Sequence, residues 1–264
     1  MKVLIKLGGT LLDAAESRQR LASEISAAVR QGLQAVVVHG GGKQMTRYLT
    51  SLGIESRFVN GLRVTTPEVL DAVVKVLAGS VNRELVSAFV ACGAQAVGLS
   101  GMDALLTEAR QMSAELGWVG RPVRSDARLL HTLLEAGYLP VVACLAGDRQ
   151  GQFFNVNADH MAVSVAGALG ADKLLFLTDV DGVRGPDNAI YSALNADKCR
   201  QLIDSGIATG GMRAKLESAV EALSTGTAEV VIAPGATPGI VANLLAGKAI
   251  GTRLVAAAEV SRHA

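Results

Sequence analysis

Two glycine-rich turns hold the residues with the most chemical content: KLGG (residues 6–9) and HGGG (residues 39–42), each closing an apolar run and each followed by a helical pattern. A backbone without Cβ can come within hydrogen-bond distance of a ligand, and free N–H groups at a helix start attract anions. Either turn alone serves equally well for tight packing in an α/β protein. Together, with Lys6 two residues ahead of Gly8 and Gly9, they point to a bed for a strongly negative group such as phosphate. The spacing is neither G-x-G-x-x-G nor that of a P-loop, so neither stock nucleotide signature applies. Lys6 stands at the mouth of a strand, where packing prefers Val or Ile. A cation facing phosphate and a solvated strand end in step with Lys2 are its two readings. Lys215, in TGGMRAKLES (residues 209–218), lies about one turn inside a helix that opens on two glycines, as a second cation near developing charge or as a surface lysine.

FFNVNADHMA (residues 153–162) is the least generic stretch, with Asn155, Asn157 and Asp159 alternating as the chain passes from extended into helix. Helix capping explains one of these residues well and three poorly. LTDVDGV (residues 177–183) reads as a strand and an Asp-Gly turn, a common turn signal that after a parallel strand can wrap a nucleotide. In NGLRVT (residues 60–65), Arg63 offers a planar fork suited to a carboxylate, or an exposed salt bridge. His39, His131, His160 and His263 show no spacing for a metal triad or an activated nucleophile, and His39 reads as a structural hydrogen-bonding residue. Cys92, Cys144 and Cys199 form no C-x-x-C pair and read as buried or idle thiols of a reducing compartment.

These residues need a scaffold, and the hydrophobic pattern supplies one. Apolar runs at 3–5, 35–38, 96–99, 140–144, 174–177 and 230–232 are continuous rather than alternating, as in strands covered on both faces. Helical patterns lie at 16–32, 44–53, 66–92, 125–136, 158–169, 195–205, 211–225 and 238–246. The β-then-α rhythm predicts an α/β fold: a three-layer αβα sandwich around a mostly parallel sheet. Residues 104–124 and 146–154 break the rhythm and read as added hairpins forming a lid or rim. A composition shift near Asp172 divides the chain into an N-terminal lobe, 1–170, and a C-terminal lobe, 171–264. Half of the 264 residues are hydrophobic and 3% aromatic, so the core is aliphatic. A net charge of +1 gives no footprint for nucleic acid. MKVLIKLGGT is too soon interrupted to be a signal sequence, and no apolar stretch reaches membrane-spanning length, so a cytoplasmic protein with a small-molecule partner is expected.

KLGG, HGGG, GLRVT, NVNAD, TDVDGV and GGMRAK, in this order and with VNREL, GLSGMD, LGWVG and GTRL between and after them, resemble the acetylglutamate kinases of the amino acid kinase family from about Met1 to Leu254. The resemblance implies that family's two-lobed fold and ATP-dependent phosphorylation of the side-chain carboxylate of N-acetyl-L-glutamate, for arginine synthesis. It assigns Lys6 and Lys215 to the transferring phosphoryl group and Asp159 to holding both ammonium groups. Gly41 and Gly42 would donate to the reacting end of the acceptor, and Gly8 and Gly9 would lie near the phosphoryl group. Arg63 and Asn155 would grip the α-carboxylate. ATP would rest on Asp179, Val180, Asp181, Gly182, Val183, Arg184, Ile207, Ala208 and Thr209, with Mg²⁺ held mainly by the nucleotide. A homodimer built largely through 66–92 is also implied, insensitive to arginine because the chain opens at its first strand without the extra helix of inhibited relatives. Lys43, Met102 and Arg213–Ala214 depart from the usual family residues, none at a position with a proposed chemical role. A related kinase acting on carrier-linked aminoadipate or glutamate is the rival within the family, kept open by Arg121, Arg124 and Arg128. A non-catalytic nucleotide sensor is the rival outside it, against which Lys6, Asp159 and Lys215 speak.

The absence of a poised histidine or serine fits this chemistry. A glutamate carboxylate, with a pKa of about 4.3, is already ionised at neutral pH and needs no general base. What the reaction needs is neutralisation of two anions and in-line alignment. The acyl phosphate formed is open to hydrolysis, which gives the hairpins a reason to close over the acceptor.

Overall fold

Each of the six apolar runs becomes a strand of one sheet. The computed structural model describes residues 1–255, so His263 and the end of the 171–264 lobe lie outside the described residues. The first half carries β1 (Lys2–Leu7), β2 (Gln34–His39), β3 (Phe58–Val59), β4 (Leu62–Arg63), β5 (Ala96–Ser100), β6 (Thr107–Gln111), β7 (Val119–Ser125), β8 (Leu139–Ala143), β9 (Leu145–Gly147) and β10 (Phe153–Val156). The second half carries β11 (Lys173–Thr178), β12 (Ala193–Leu194), β13 (Glu229–Pro234) and β14 (Thr252–Leu254). The helices are α1 (Ala15–Arg30), α2 (Gly42–Ser51), α3 (Pro67–Val73), α4 (Asn82–Ala91), α5 (Arg128–Glu135), α6 (Ala158–Leu169), α7 (Ala196–Asp204), α8 (Gly210–Ser224) and α9 (Ile240–Leu245).

The main sheet has eight strands in the order β12-β14-β13-β11-β1-β2-β8-β5, parallel except for β13 against β14. β1 lies between β2 and β11, so the sheet runs unbroken across residue 170. Its strands are Val-, Leu- and Ile-rich and almost wholly buried, as a sheet with helices on both faces requires. α1 packs on α4 and α9 in one layer, and α6 packs on α8 and β1 in the other. The expected three-layer sandwich is the observed one.

Three features were not foreseen. The segments 104–124 and 146–154 do form hairpins, β6–β7 and β9–β10, but these join, and β10, β7, β6 and β9 close into a small barrel. β3 and β4 form a hairpin with Asn60 and Gly61 at positive φ in its turn. The predicted 66–92 helix is one continuous helical run from α3 to α4, but its middle, Val74–Val81, is π-helical, a form that recurs at functional sites. Lys6, the two glycine turns, Asp159 and Asp179 lie at or just after the carboxyl ends of β1, β2, β10 and β11, while Arg63 comes from β4 and Lys215 from α8.

Candidate active site

β1 carries Lys6 into the protein and not out to solvent. Its side chain is 9% exposed, and its Nζ lies 2.7 Å from Oδ1 of Asp159. The other carboxylate oxygen of Asp159 accepts from Nζ of Lys215 at 3.3 Å. One buried carboxylate thus bridges two ammonium groups from opposite ends of the sequence. The Lys6 contact is an ion pair by distance although its angles are not those of a hydrogen bond; charge attraction does not depend on them. Burial pushes the Asp159 carboxyl pKa up, but Lys6 and Lys215 outweigh it and hold it at about 2.

Local sequence explains how Asp159 reaches this position. Asn157 is the N-cap of α6 and accepts from the N–H groups of Asp159 and His160, so the capping reading holds for that residue alone. Asp159, two residues on, is free to turn inward. Asn155, on β10, donates to Thr65 Oγ1 at 3.0 Å and faces a cavity of about 220 Å³. The same cavity is lined by Lys6, Gly9, Gly41, Gly42 and Arg63. Gly8 does not line it, for its N–H is spent on Leu177 O at 2.9 Å. Gly41 caps α2 with no side-chain partner, and among the described residues no acceptor meets its N–H or that of Gly42. A Cβ on Gly41 would lie 2.7 Å from Leu77 Cδ2 and 3.2 Å from Val81 Cγ2, so a larger residue would have to displace these side chains of the π-helical stretch.

Arg63 arches over the Phe58 ring at 4.6 Å and donates to Thr46 Oγ1 at 2.8 Å and Gly42 O at 3.2 Å, with Ser56 as a further partner. It therefore braces the HGGG turn besides facing the cavity. The β3–β4 hairpin that carries it gives Phe58, Gly61 and Leu62 to the wall. Reading the sequence alone missed this element, whose two-residue strands leave no periodic signal.

Asp159 and Lys215 open on a second space of about 580 Å³ bordered by Gly210, Gly211 and Arg121. Asp179 borders a third, open one of about 1030 Å³, together with Thr10, Lys43 and Arg47. Thr10 Oγ1 donates to Asp179 at 3.0 Å and so ties the turn after β1 to the turn after β11. Of the other residues expected at a nucleotide, none lines these three spaces. Val183 and Ala208 are core residues, and Val180 and Ile207 expose apolar side chains.

The pH dependence of folding follows from two buried groups. Asp159 keeps a folded pKa below its ordinary 3.8, so its contribution is complete above about pH 4 and is lost as pH falls towards 2. Burial lowers the His39 imidazole from 6.5 to about 4 against the opposing Gly40 carbonyl, so the unfolded chain takes up this proton first. Stability should therefore decline from about pH 6.5 to 4, with a smaller share from His160, also lowered by burial. Urea unfolding across this range should show a shallower slope in His39→Asn; an unaltered slope would contradict the assignment.

The amino acid kinase family model matches residues 1–234. An acetylglutamate kinase of Solibacter usitatus is 61% identical over 97% of this chain and 100% of its own length. One from Geobacillus kaustophilus is 45% identical over 89% of this chain and 90% of its own. Among solved structures, N-acetylglutamate synthase of Neisseria gonorrhoeae, complexed with coenzyme A and N-acetyl-glutamate, superposes with a TM-score of 0.86 at 27% identity. That match covers 96% of this chain but only 59% of the synthase. The chain belongs to the amino acid kinase family, and the relatives it matches over most of both lengths are acetylglutamate kinases.

Proposed function

We propose that the protein transfers the γ-phosphoryl group of ATP to the side-chain carboxylate of N-acetyl-L-glutamate, forming the 5-phosphate for arginine biosynthesis. The observation that carries this reading is the Lys6–Asp159–Lys215 bridge beside two glycine N–H groups that meet no acceptor among the described residues. It provides positive charge and preorganised donors where two anions must meet, with no base needed. Phosphate oxygens fit these donors. Lys6 and Lys215 would neutralise the charge that spreads onto the equatorial oxygens in transfer, and Asp159 would fix their separation. Gly41 and Gly42 would hold the attacking carboxylate and the phosphoryl oxygens, with Gly8 and Gly9 supporting the turn opposite. Mg²⁺ carried on the nucleotide would supply further charge neutralisation. The exposed Val180 and Ile207 suit a nucleobase, with Asp179, Asp181, Arg184 and Thr209 shaping the surface around it and the buried Gly182, Val183 and Ala208 supporting that surface from beneath.

This reading divides the chain into an acceptor lobe, 1–170, and an ATP lobe, 171–264. Labelling by an azido-ATP confined to the first lobe would refute the division. It also places the protein in the cytoplasm as a homodimer built through α3 and α4; among the described residues no helix is long and apolar enough to cross a membrane. Recovery with membranes, or sedimentation as a monomer, would refute the corresponding part. Trapping the acyl phosphate with hydroxylamine tests the activity itself. N-acetylglutamate should yield hydroxamate faster than N-succinylglutamate or aminoadipate derivatives, and no yield with N-acetylglutamate rejects the proposal.

Arg63 and Asn155 would take the α-carboxylate. Hydrogen bonds to a charged group contribute about 1.5–3 kcal/mol, so Arg63→Ala should raise KM for the amino acid about 10- to 100-fold. Because Arg63 also holds Gly42 O, a smaller fall in kcat should accompany it. Initial rates at saturating ATP read both effects, and an unchanged KM removes Arg63 from the acceptor site.

A further inference from the structure

His39 is fully buried, does not line the cavity, and has no role in the chemistry above. Its ring is nevertheless tied at both ends. Nδ1 lies 2.9 Å from Gly40 O, and Nε2 lies 3.0 Å from Nδ2 of Asn82, the first residue of α4 after the π-helical stretch. The orientation of the Asn82 amide is set independently. Its Oδ1 accepts from Arg83 at 2.6 Å, and its Nδ2 donates to Val141 O at 2.9 Å. Nδ2 can only donate, so Nε2 of His39 must offer a lone pair and the ring proton must sit on Nδ1, facing the Gly40 carbonyl. Both contacts demand the same tautomer. Room for this network is kept by Gly98, where a Cβ would fall 2.0 Å from Asn82 Oδ1.

The Gly40–Gly41 peptide is planar and trans, so its N–H points away from its C=O. With the carbonyl held towards His39, the Gly41 N–H faces the other side, where Gly41 lines the cavity beside Lys6 and meets no acceptor among the described residues. We propose that His39 is a positioning residue: as the neutral Nδ1–H tautomer, oriented by Asn82, it locks the Gly40–Gly41 peptide so that the Gly41 N–H is aimed at the group being transferred. Burial keeps the ring neutral well below neutral pH, so the lock does not open in the working range. Val81 and Leu77, against which Gly41 packs, precede Asn82 in the same helix. That helix therefore grips the turn from behind at the backbone and through the ring. This inference rests on the phosphoryl-transfer reading of the site.

Two measurements test it. In the intact protein, ¹⁵N–¹H correlation of the imidazole nitrogens should show His39 with a protonated Nδ1 and a bare Nε2, the minor form in water. The Nε2–H form overturns the proposal. In the hydroxamate assay, His39→Leu removes the donor and should lower kcat about 10- to 100-fold, the lower part of what losing one preorganised donor costs, with KM values little moved. His39→Asn puts an amide donor where Nδ1 stood and should recover most of the turnover. Wild-type kcat in His39→Leu, a loss confined to KM, or equal losses in both variants overturns the proposal. Should His39→Leu not fold, the tautomer decides. Should the wild type form no hydroxamate, the activity reading fails, while the tautomer still tests the lock.

Discussion

Lys215→Ala should lower kcat by about 100-fold or more and leave KM for the acceptor nearly unchanged, because the charge it removes acts mainly where negative charge develops. Lys215 is placed to respond to such charge. It extends from the first turns of α8, whose start at Thr209 and Gly210 carries no side-chain cap, and its side chain is 17% exposed beside a space large enough for phosphate groups. Its contact with Asp159, at 3.3 Å, is the longer of the two, so a phosphoryl oxygen can draw it away at small cost. Lys6, at 2.7 Å and more deeply buried, is the fixed member of the pair. Lys215→Arg keeps the charge but spreads it over a planar fork, and should recover only part of the rate. Single-turnover measurement with saturating ATP separates this from slower product release, and unchanged turnover in the alanine variant removes Lys215 from the mechanism.

Much of this scaffold was legible because its signals are local. The apolar run ending at Lys6 can be buried only as an inner strand. The α6 segment announces its own ends, with Asn157 as N-cap and Gly170 in the left-handed conformation after Leu169. What escaped depends on contacts distant in sequence. β3 and β4 are two residues each, and Phe58 is exposed, so no alternation marks them. The barrel closes through pairings such as Asn155 with Val119 and Glu108 with Gly147, which neither segment reveals alone. The π-helical stretch VKVLAGSV has the composition of an ordinary helix and takes its form from packing. At the site, spacing alone left Lys6 divided between solvent and phosphate; the family resemblance supplied the pairing with Asp159, 153 positions away, and the structure shows it. His39 reads in the sequence as a structural hydrogen-bonding residue, and its partner Asn82 enters there only as part of VNREL, with no role attached.

Asp159→Asn should be the most informative change of all, because it preserves shape and removes only charge. In the native protein this carboxylate is the shared counter-charge of Lys6 and Lys215. Without it the two ammonium groups repel across a buried space, and removing one partner of a buried pair costs about 3–5 kcal/mol. Melting should fall by on the order of 10 °C. The same repulsion moves the cations apart, so kcat should fall about 100-fold even though neither lysine is altered. A merely structural aspartate would account for the first loss. The distinguishing sign is the nucleotide: its phosphates bring the missing negative charge, so a non-hydrolysable ATP analogue should raise the melting temperature of the variant more than that of the wild type. The variant should also lose the part of the acid limb below about pH 4 that Asp159 supplies. An equal or smaller shift with nucleotide would mean that phosphate does not lie between Lys6 and Lys215, and the electrostatic account of the site would fall with it.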